Sequence, residues 1–364
     1  MADEYRIDNH KLIFHPQRVA QWQQGYKHWE EAKKIYPIYL EISPVGYCNH
    51  RCSFCAKDYI GYQNRKIPFE ILKNRISEMA ELGVKSIMFA GEGESTLYKQ
   101  LPEIIEHCAN VGIDTALTTN IVPFTQSNAE TYVKHCKWIK VSINAGNAKA
   151  YAEVHGTSAK DFDIAISNML LASSLKKEKG YSCTLGAQML LLPDNFDTAI
   201  ELAEKIKAIG FDYLVIKPYS QHLSSNTHKY ENIDYSKYLH LEKELKSFNS
   251  ENFKVIFRMH TINKLLDDQE RYSRCSAVPF FWGYIMANGE VYGCSSFLEN
   301  EKFSYGNINE HSFKEIWEGN RRKENYEFVR DKMNAQNCRE NCRMDEINRY
   351  LWELRHPKEH VNFI

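Results

Sequence analysis

The chain has 364 residues, 43% of them apolar, and a formal net charge of -1. That is enough apolar material for one large domain, or a large one and a small one, and the even charge gives no electrostatic reason to expect nucleic acid or an anionic membrane as partner. No basic-then-apolar leader opens the sequence and no apolar run approaches a membrane span, so a cytoplasmic location is expected. In a cytosolic chain of this size the ten cysteines read as metal ligands before disulfides.

Residues 1–37 read as a lead-in with one helix through Arg18–Lys34. A strand over Ile38–Ile42 runs directly into a loop carrying Cys48, Cys52 and Cys55 at C-x3-C-x2-C spacing. A helix opens near Pro68, where proline suits the first turn. Apolar periodicity then alternates. Strands are expected over 84–90, 114–119, 138–143, 184–192 and 213–217, and helices over 101–111, 128–136, 161–179 and 196–209. Six β units with helical connections imply a parallel sheet covered by helices. The pattern alone allows a partial barrel or an open doubly wound sheet. A polar loop over 220–234, with His222 and His228 read as solvated, precedes a helix over 235–248 and a further strand near 253–258. A hairpin with an Asn-Gly turn is expected between Trp282 and Gly293. Cys275, Cys294, Cys338 and Cys342 are spread along this last third.

Three thiolates on one short loop can hold three irons of a four-iron cube and leave the fourth open for chemistry, whereas a structural site is closed. A zinc knuckle is the bland alternative. The cysteine spacing, with Phe54 just before the last cysteine, resembles the radical S-adenosylmethionine (radical SAM) enzymes. The resemblance implies a partial (β/α)6 TIM-like barrel over 38–250, followed over 251–364 by a small α+β iron–sulfur domain of the SPASM or shortened twitch type. It implies two [4Fe-4S] clusters and SAM. Cys48, Cys52 and Cys55 would hold the SAM-binding cluster; Cys275, Cys294, Cys338 and Cys342 would hold the auxiliary one, with zinc as the alternative at the latter set.

In parallel α/β folds chemistry gathers at the C-terminal ends of strands. The second strand ends in Gly91-Glu92-Gly93-Glu94, similar to the family's glycine-glycine-glutamate segment, with Glu92 taken as the partner of the SAM amino group and Glu94 as facing substrate. Asn120, Ser142, Asn144 and Gln188 sit at later strand ends, where the resemblance implies further SAM contacts; ordinary strand-end capping is the other reading. Lys217, Tyr219 and Glu94 are the candidate bases, Lys217 also being a candidate phosphate or carboxylate clamp. Cys108, Cys136 and Cys183 read as packing residues, the first two on helices.

The expected activity is hydrogen abstraction by a 5′-deoxyadenosyl radical and oxidation of an alcohol on a small, carbohydrate-like substrate, as in twitch-type aminocyclitol and sugar dehydrogenases. The auxiliary cluster would accept the electron, and a flavodoxin or ferredoxin would be the external reductant. The alternatives are a peptide-modifying maturase, which the short lead-in disfavours, and an iron–sulfur electron carrier without enzymatic activity.

Overall fold

A computed structural model describes residues 4–7, 9–266 and 271–363. Seven parallel strands run in chain order: β1 (Tyr39–Ile42), β2 (Ser86–Phe89), β3 (Asp114–Thr119), β4 (Cys136–Ser142), β5 (Thr184–Leu191), β6 (Tyr213–Pro218) and β7 (Lys254–Phe257). Each pairs in parallel with its chain neighbour, and helices such as Phe69–Glu81, Leu101–Asn110 and Ala199–Ile209 connect them. This is the helix-covered parallel sheet of six βα units that the alternation predicts.

Side chains alternate across each strand. One face presents Leu40, Ile42, Ile87, Phe89, Leu117, Ile139, Leu185 and Ile216 to helix residues such as Ile76, Ile104, Val133 and Leu202, forming the main core. Each such fully buried side chain contributes about 1.5–3 kcal/mol. The other face carries Glu41, Met88, Thr118, Lys140, Ser142, Gln188 and Lys217. This mixed, polar inner surface is where the barrel lumen lies. Cys108, Cys136 and Cys183 all join the main core, as expected of packing residues.

The predicted hairpin is β8 (Trp282–Ile285) and β9 (Glu290–Tyr292), joined antiparallel, with β10 (Ser304–Asn307) beside β9. The β8 strand pairs in parallel with β1, Tyr39 opposite Trp282 and Ile42 opposite Ile285. The hairpin therefore extends the barrel's own sheet, giving ten strands in one sheet. The strand that leads into the cysteine loop is hydrogen-bonded on both edges.

Several boundaries move. The N-terminal helix is two pieces, Pro16–Gly25 and Trp29–Ala32, because the chain bends there to pack Trp22, Tyr26 and Trp29 around Phe280, Tyr326 and Leu351. Cys136 begins β4 instead of ending a helix, because it pairs with Thr115 of β3. The helix expected over 235–248 is a 3-10 turn, Tyr235–Tyr238, followed by Leu241–Lys246. An unanticipated helix, Ala148–His155, follows β4 and bears directly on the site. Among the described residues, no helix is long and apolar enough to cross a membrane.

Candidate active site

The cysteine loop leaves β1 and is held by its backbone. Arg51 and Ser53 donate their N–H groups to the carbonyls of His155 and Val154, each at 3.0 Å. Those carbonyls belong to the last turn of helix Ala148–His155, where no intrahelical donor remains, so loop and helix end satisfy each other. Asn49 is fixed in turn by Asn120, whose amide donates to the Asn49 side chain at 2.8 Å.

Within this loop the Cys52 thiol lies 3.2 Å from Nδ1 of His155. On its far side His155 Nε2 is 3.1 Å from the Ile143 carbonyl and 3.3 Å from the Asn144 amide nitrogen. Burial, with His50 close by, holds the His155 imidazole down to about 3, so it is neutral at physiological pH. His50, also buried, is 3.1 Å from Asp161.

Burial pushes the Cys48 thiol up to about 12, with Glu94 and Cys55 adding to the shift, and pushes Cys52 well above its usual value, with Cys55 and Cys48 next in effect. Cys48 and Cys52, so reluctant to ionise alone, suit a centre whose own positive charge holds them as thiolates. A four-iron cluster with one open iron fits this donor set.

The segment after β2 closes the loop from above. Gly91 and Gly93 are required there: a β-carbon on Gly91 would overlap the Tyr284 hydroxyl, and one on Gly93 would overlap the Tyr47 carbonyl. The two glutamates differ. Glu92 is 2% exposed, and its carboxylate accepts from Arg65 at 2.7 Å and from the Ala287 N–H at 2.5 Å. It ties the second strand to the C-terminal hairpin. Glu94 accepts from Thr96 and Thr119, each at 2.7 Å, and from the Asn120 N–H at 2.8 Å. Its charge is felt by both Cys48 and His50. Glu94, not Glu92, is therefore the carboxylate that faces the cysteine loop.

The other expected contacts fall into two groups. Asn144, with φ of 52°, accepts from Leu190 N–H at 2.8 Å and holds Asn195 through its carbonyl at 2.7 Å, a structural role in a conformation asparagine tolerates. Ser142, Gln188 and Lys217 lie on the inner face, Ser142 beside Gln188 in register. Phe54 packs edge-on to His155, ring centroids 5.5 Å apart, in a small cluster with Tyr219 and Tyr230. The Tyr219 hydroxyl donates to Gln221 at 3.1 Å, and burial raises its pKa.

Cys275, Cys294 and Cys342 pack together around Trp282 and Met344. Cys338 joins them: after burial, the charges of Cys275 and Cys294 do most to push its thiol up to about 12. Burial likewise raises Cys294 to about 11. Cys275, Cys294, Cys338 and Cys342 would be the residues to hold a second iron–sulfur cluster, for which four thiols supply a full set of donors.

The loop over 220–234 clamps the two sets together. Asp58, three residues after Cys55, accepts from Ser225, Asn226 and Thr227 at 2.9–3.0 Å. His222 is buried, not solvated as expected: it stacks on Tyr59 at 5.3 Å with Nε2 3.4 Å from the Ser295 carbonyl. His228 is exposed beside Glu231, as expected. His155 was missed in the sequence, although Asn147 and Gly156 bracket its helix with ordinary start and stop signals.

Residues 42–216 match the radical SAM superfamily, and residues 275–343 match an iron–sulfur cluster-binding domain of the SPASM type. A GTP 3′,8-cyclase from Tolumonas auensis is 31% identical over 122 residues, 32% of this chain and 36% of that protein. A PqqA peptide cyclase from Bradyrhizobium diazoefficiens is 27% identical over 134 residues, 35% of each chain. The matched stretch thus spans about a third of the length of these curated relatives. The structure of Streptococcus suis SuiB bound to its precursor peptide SuiA superposes with a TM-score of 0.65 at 20% identity, covering 88% of this chain and 71% of that one. That likeness shows the fold.

Proposed function

The chain carries a radical SAM domain followed by an iron–sulfur SPASM domain, and from that premise we propose that it oxidises a hydroxyl-bearing carbon of a small polar substrate held in the barrel lumen. When loaded, the two cysteine sites supply the reductive cleavage of SAM to a hydrogen-abstracting 5′-deoxyadenosyl radical and an electron acceptor, with an external donor of flavodoxin or ferredoxin type. The chain's own part is positional. Cys48, Cys52 and Cys55 would hold the first group. Glu94, rather than Glu92, would meet the SAM ammonium, and Ser142 and Gln188 would line the lumen. Tyr219 and Phe54 line the apolar side and exclude water.

One observation carries the reading. The Lys57 ammonium donates to the Ser295 carbonyl at 2.6 Å, which fixes the segment after Cys55 against the residue after Cys294. That contact brings the segments after the two donor sets together, which supports an oxidation that uses both.

A second reading, modification of a peptide, is favoured by the similarity to a PqqA peptide cyclase. Reduced, reconstituted protein should cleave SAM to 5′-deoxyadenosine. Cys52→Ala should abolish cleavage, while Cys294→Ala should still cleave SAM yet form no oxidised product. Cleavage retained in Cys52→Ala overturns the assignment of the first site.

A further inference from the structure

Two lysines on the inner face of the sheet lack an acceptor. Lys140, on β4, lies beside Gly186 in register, and Lys217, on β6, lies beside Leu190. Both are half-buried. Other shielded lysines find oxygen: Lys176 reaches Asp212 at 2.6 Å, Lys264 reaches Asp345 at 2.7 Å and Lys254 reaches the Ser250 carbonyl at 2.6 Å. Among the described residues, neither Lys140 nor Lys217 makes a hydrogen bond or ion pair, and the Lys140 ammonium lies 5.5 Å from the centre of the Trp138 ring.

Their surroundings add positive charge. After burial, the groups acting on Lys217 are Lys140, Arg258, Arg343 and Arg339, all cationic. Those acting on Lys140 are Arg343, Arg258 and the single carboxylate Glu41. Glu41 is already ion-paired with Arg343 at 3.2 Å. Arg258 leaves the end of β7 with its N–H bonded to the Ile216 carbonyl at 2.9 Å, next to Lys217. Arg339 follows Cys338 and Arg343 follows Cys342, and both reach back to the barrel, Arg339 to the Ser220 carbonyl at 2.5 Å and Arg343 to the Tyr39 hydroxyl at 3.0 Å.

Lys57 and Arg339 feel Cys294 directly, whereas after burial the largest influences on Lys140 and Lys217 come from other cations. Burial depresses Lys140 to about 7 and Lys217 strongly, and an anion between them would reverse both shifts. A carboxylate brings one charge; a phosphate ester brings close to two, with oxygens for several donors.

We propose that Lys140 and Lys217 form the seat for a phosphate group of the substrate, so that the molecule oxidised is a phosphorylated small molecule. The proposal deepens the reading above and rests on it for the reaction, but not for the binding.

Inorganic pyrophosphate is the probe, titrated calorimetrically into the anaerobic, cluster-loaded protein, with acetate as the carboxylate comparison. The expected result is saturable pyrophosphate binding to the wild type, weakened at least about tenfold in Lys217→Gln and in Lys140→Gln, a loss of at least about 1.4 kcal/mol. Lys217→Arg, which keeps the charge, should restore it. The exposed-surface variant Lys137→Gln should bind as the wild type does. Equal binding in wild type and Lys→Gln variants, loss in Lys217→Arg as well, or acetate binding as tightly as pyrophosphate at the same lysines, overturns the phosphate seat. SAM cleavage by the wild type is read separately. Cleavage without lysine-dependent pyrophosphate binding removes the seat alone, and lysine-dependent binding without cleavage removes the radical reading alone.

Discussion

Lys57 and Ser295 are joined by a 2.6 Å hydrogen bond from ammonium to backbone carbonyl, and the same ammonium lies 5.3 Å from the centre of the Tyr284 ring. One residue thus links the cysteine loop, the hairpin strand and the second cysteine set. Lys57→Met keeps the packing over Tyr284 and removes the donor. Leaving the carbonyl underpaired should lower unfolding stability by about 1–3 kcal/mol, read as a lower urea midpoint. An unchanged midpoint would show that the link contributes nothing.

The Arg65–Glu92 pair should matter more. Glu92 is shielded from solvent, and Arg65 meets it at 2.7 Å with partial exposure. Arg65→Met strands a buried carboxylate that retains only the Ala287 N–H and nearby backbone. A loss of about 3–5 kcal/mol is expected, together with loosening of the hairpin, seen as faster amide exchange over residues 284–292. Exchange rates equal to wild type would contradict this role for Glu92.

Gly156 and Gly180 both end helices with left-handed backbone, at φ of 57° and 67°. Gly180→Ala meets nothing within 4 Å, so it should cost only the conformational penalty of about 1 kcal/mol. Gly156→Ala meets the same penalty and also overlaps the Arg51 carbonyl in the cysteine loop. It should therefore lower the melting temperature further than Gly180→Ala and reduce iron retained at the first site. Equal effects of the two substitutions would mean that the loop yields freely.

His222 gives a pH signature. Burial, then the nearby charges of Lys57 and Arg339, depresses it to about 4. In the unfolded chain it titrates near its ordinary value of about 6.5, so below that pH the unfolded state binds the extra proton first. The contribution of a neutral His222 is complete above about pH 6.5 and is lost progressively as pH falls toward 4. Its ring resonances should titrate near pH 4, and His222→Phe, which keeps the stack on Tyr59, should flatten the stability–pH slope in that window. A midpoint at the ordinary value would contradict burial of this ring.

The strands and the two cysteine sets were readable in the sequence because each rests on local pattern: β-branched runs, helical periodicity and cysteine spacing; the sequential order of the strands was not, because the same alternation allows an open doubly wound sheet. What was not readable depends on distant partners. The pairing of β8 with β1 is a contact across more than two hundred residues, and nothing in Trp282–Ile285 specifies its neighbour. Glu92 and Glu94 are equivalent in sequence; Arg65 and Ala287 claim one, and Thr119 and Asn120 claim the other. The polar loop holding His222 looked solvated because its own composition is polar, yet Asp58 and Tyr59 bury it. Of the inner-face lysines only Lys217 stood out in the sequence; the fold is what brings Lys140 and Lys217 under the same charges.

Two iron–sulfur sites of unequal kind on one barrel would show in the iron and sulfide content and in Mössbauer spectra taken with and without SAM on anaerobically reconstituted protein. About eight irons per chain, as two four-iron cubes of which SAM perturbs one, is the predicted result. About four irons with zinc at Cys275, Cys294, Cys338 and Cys342, or spectra that SAM leaves unchanged, would contradict it.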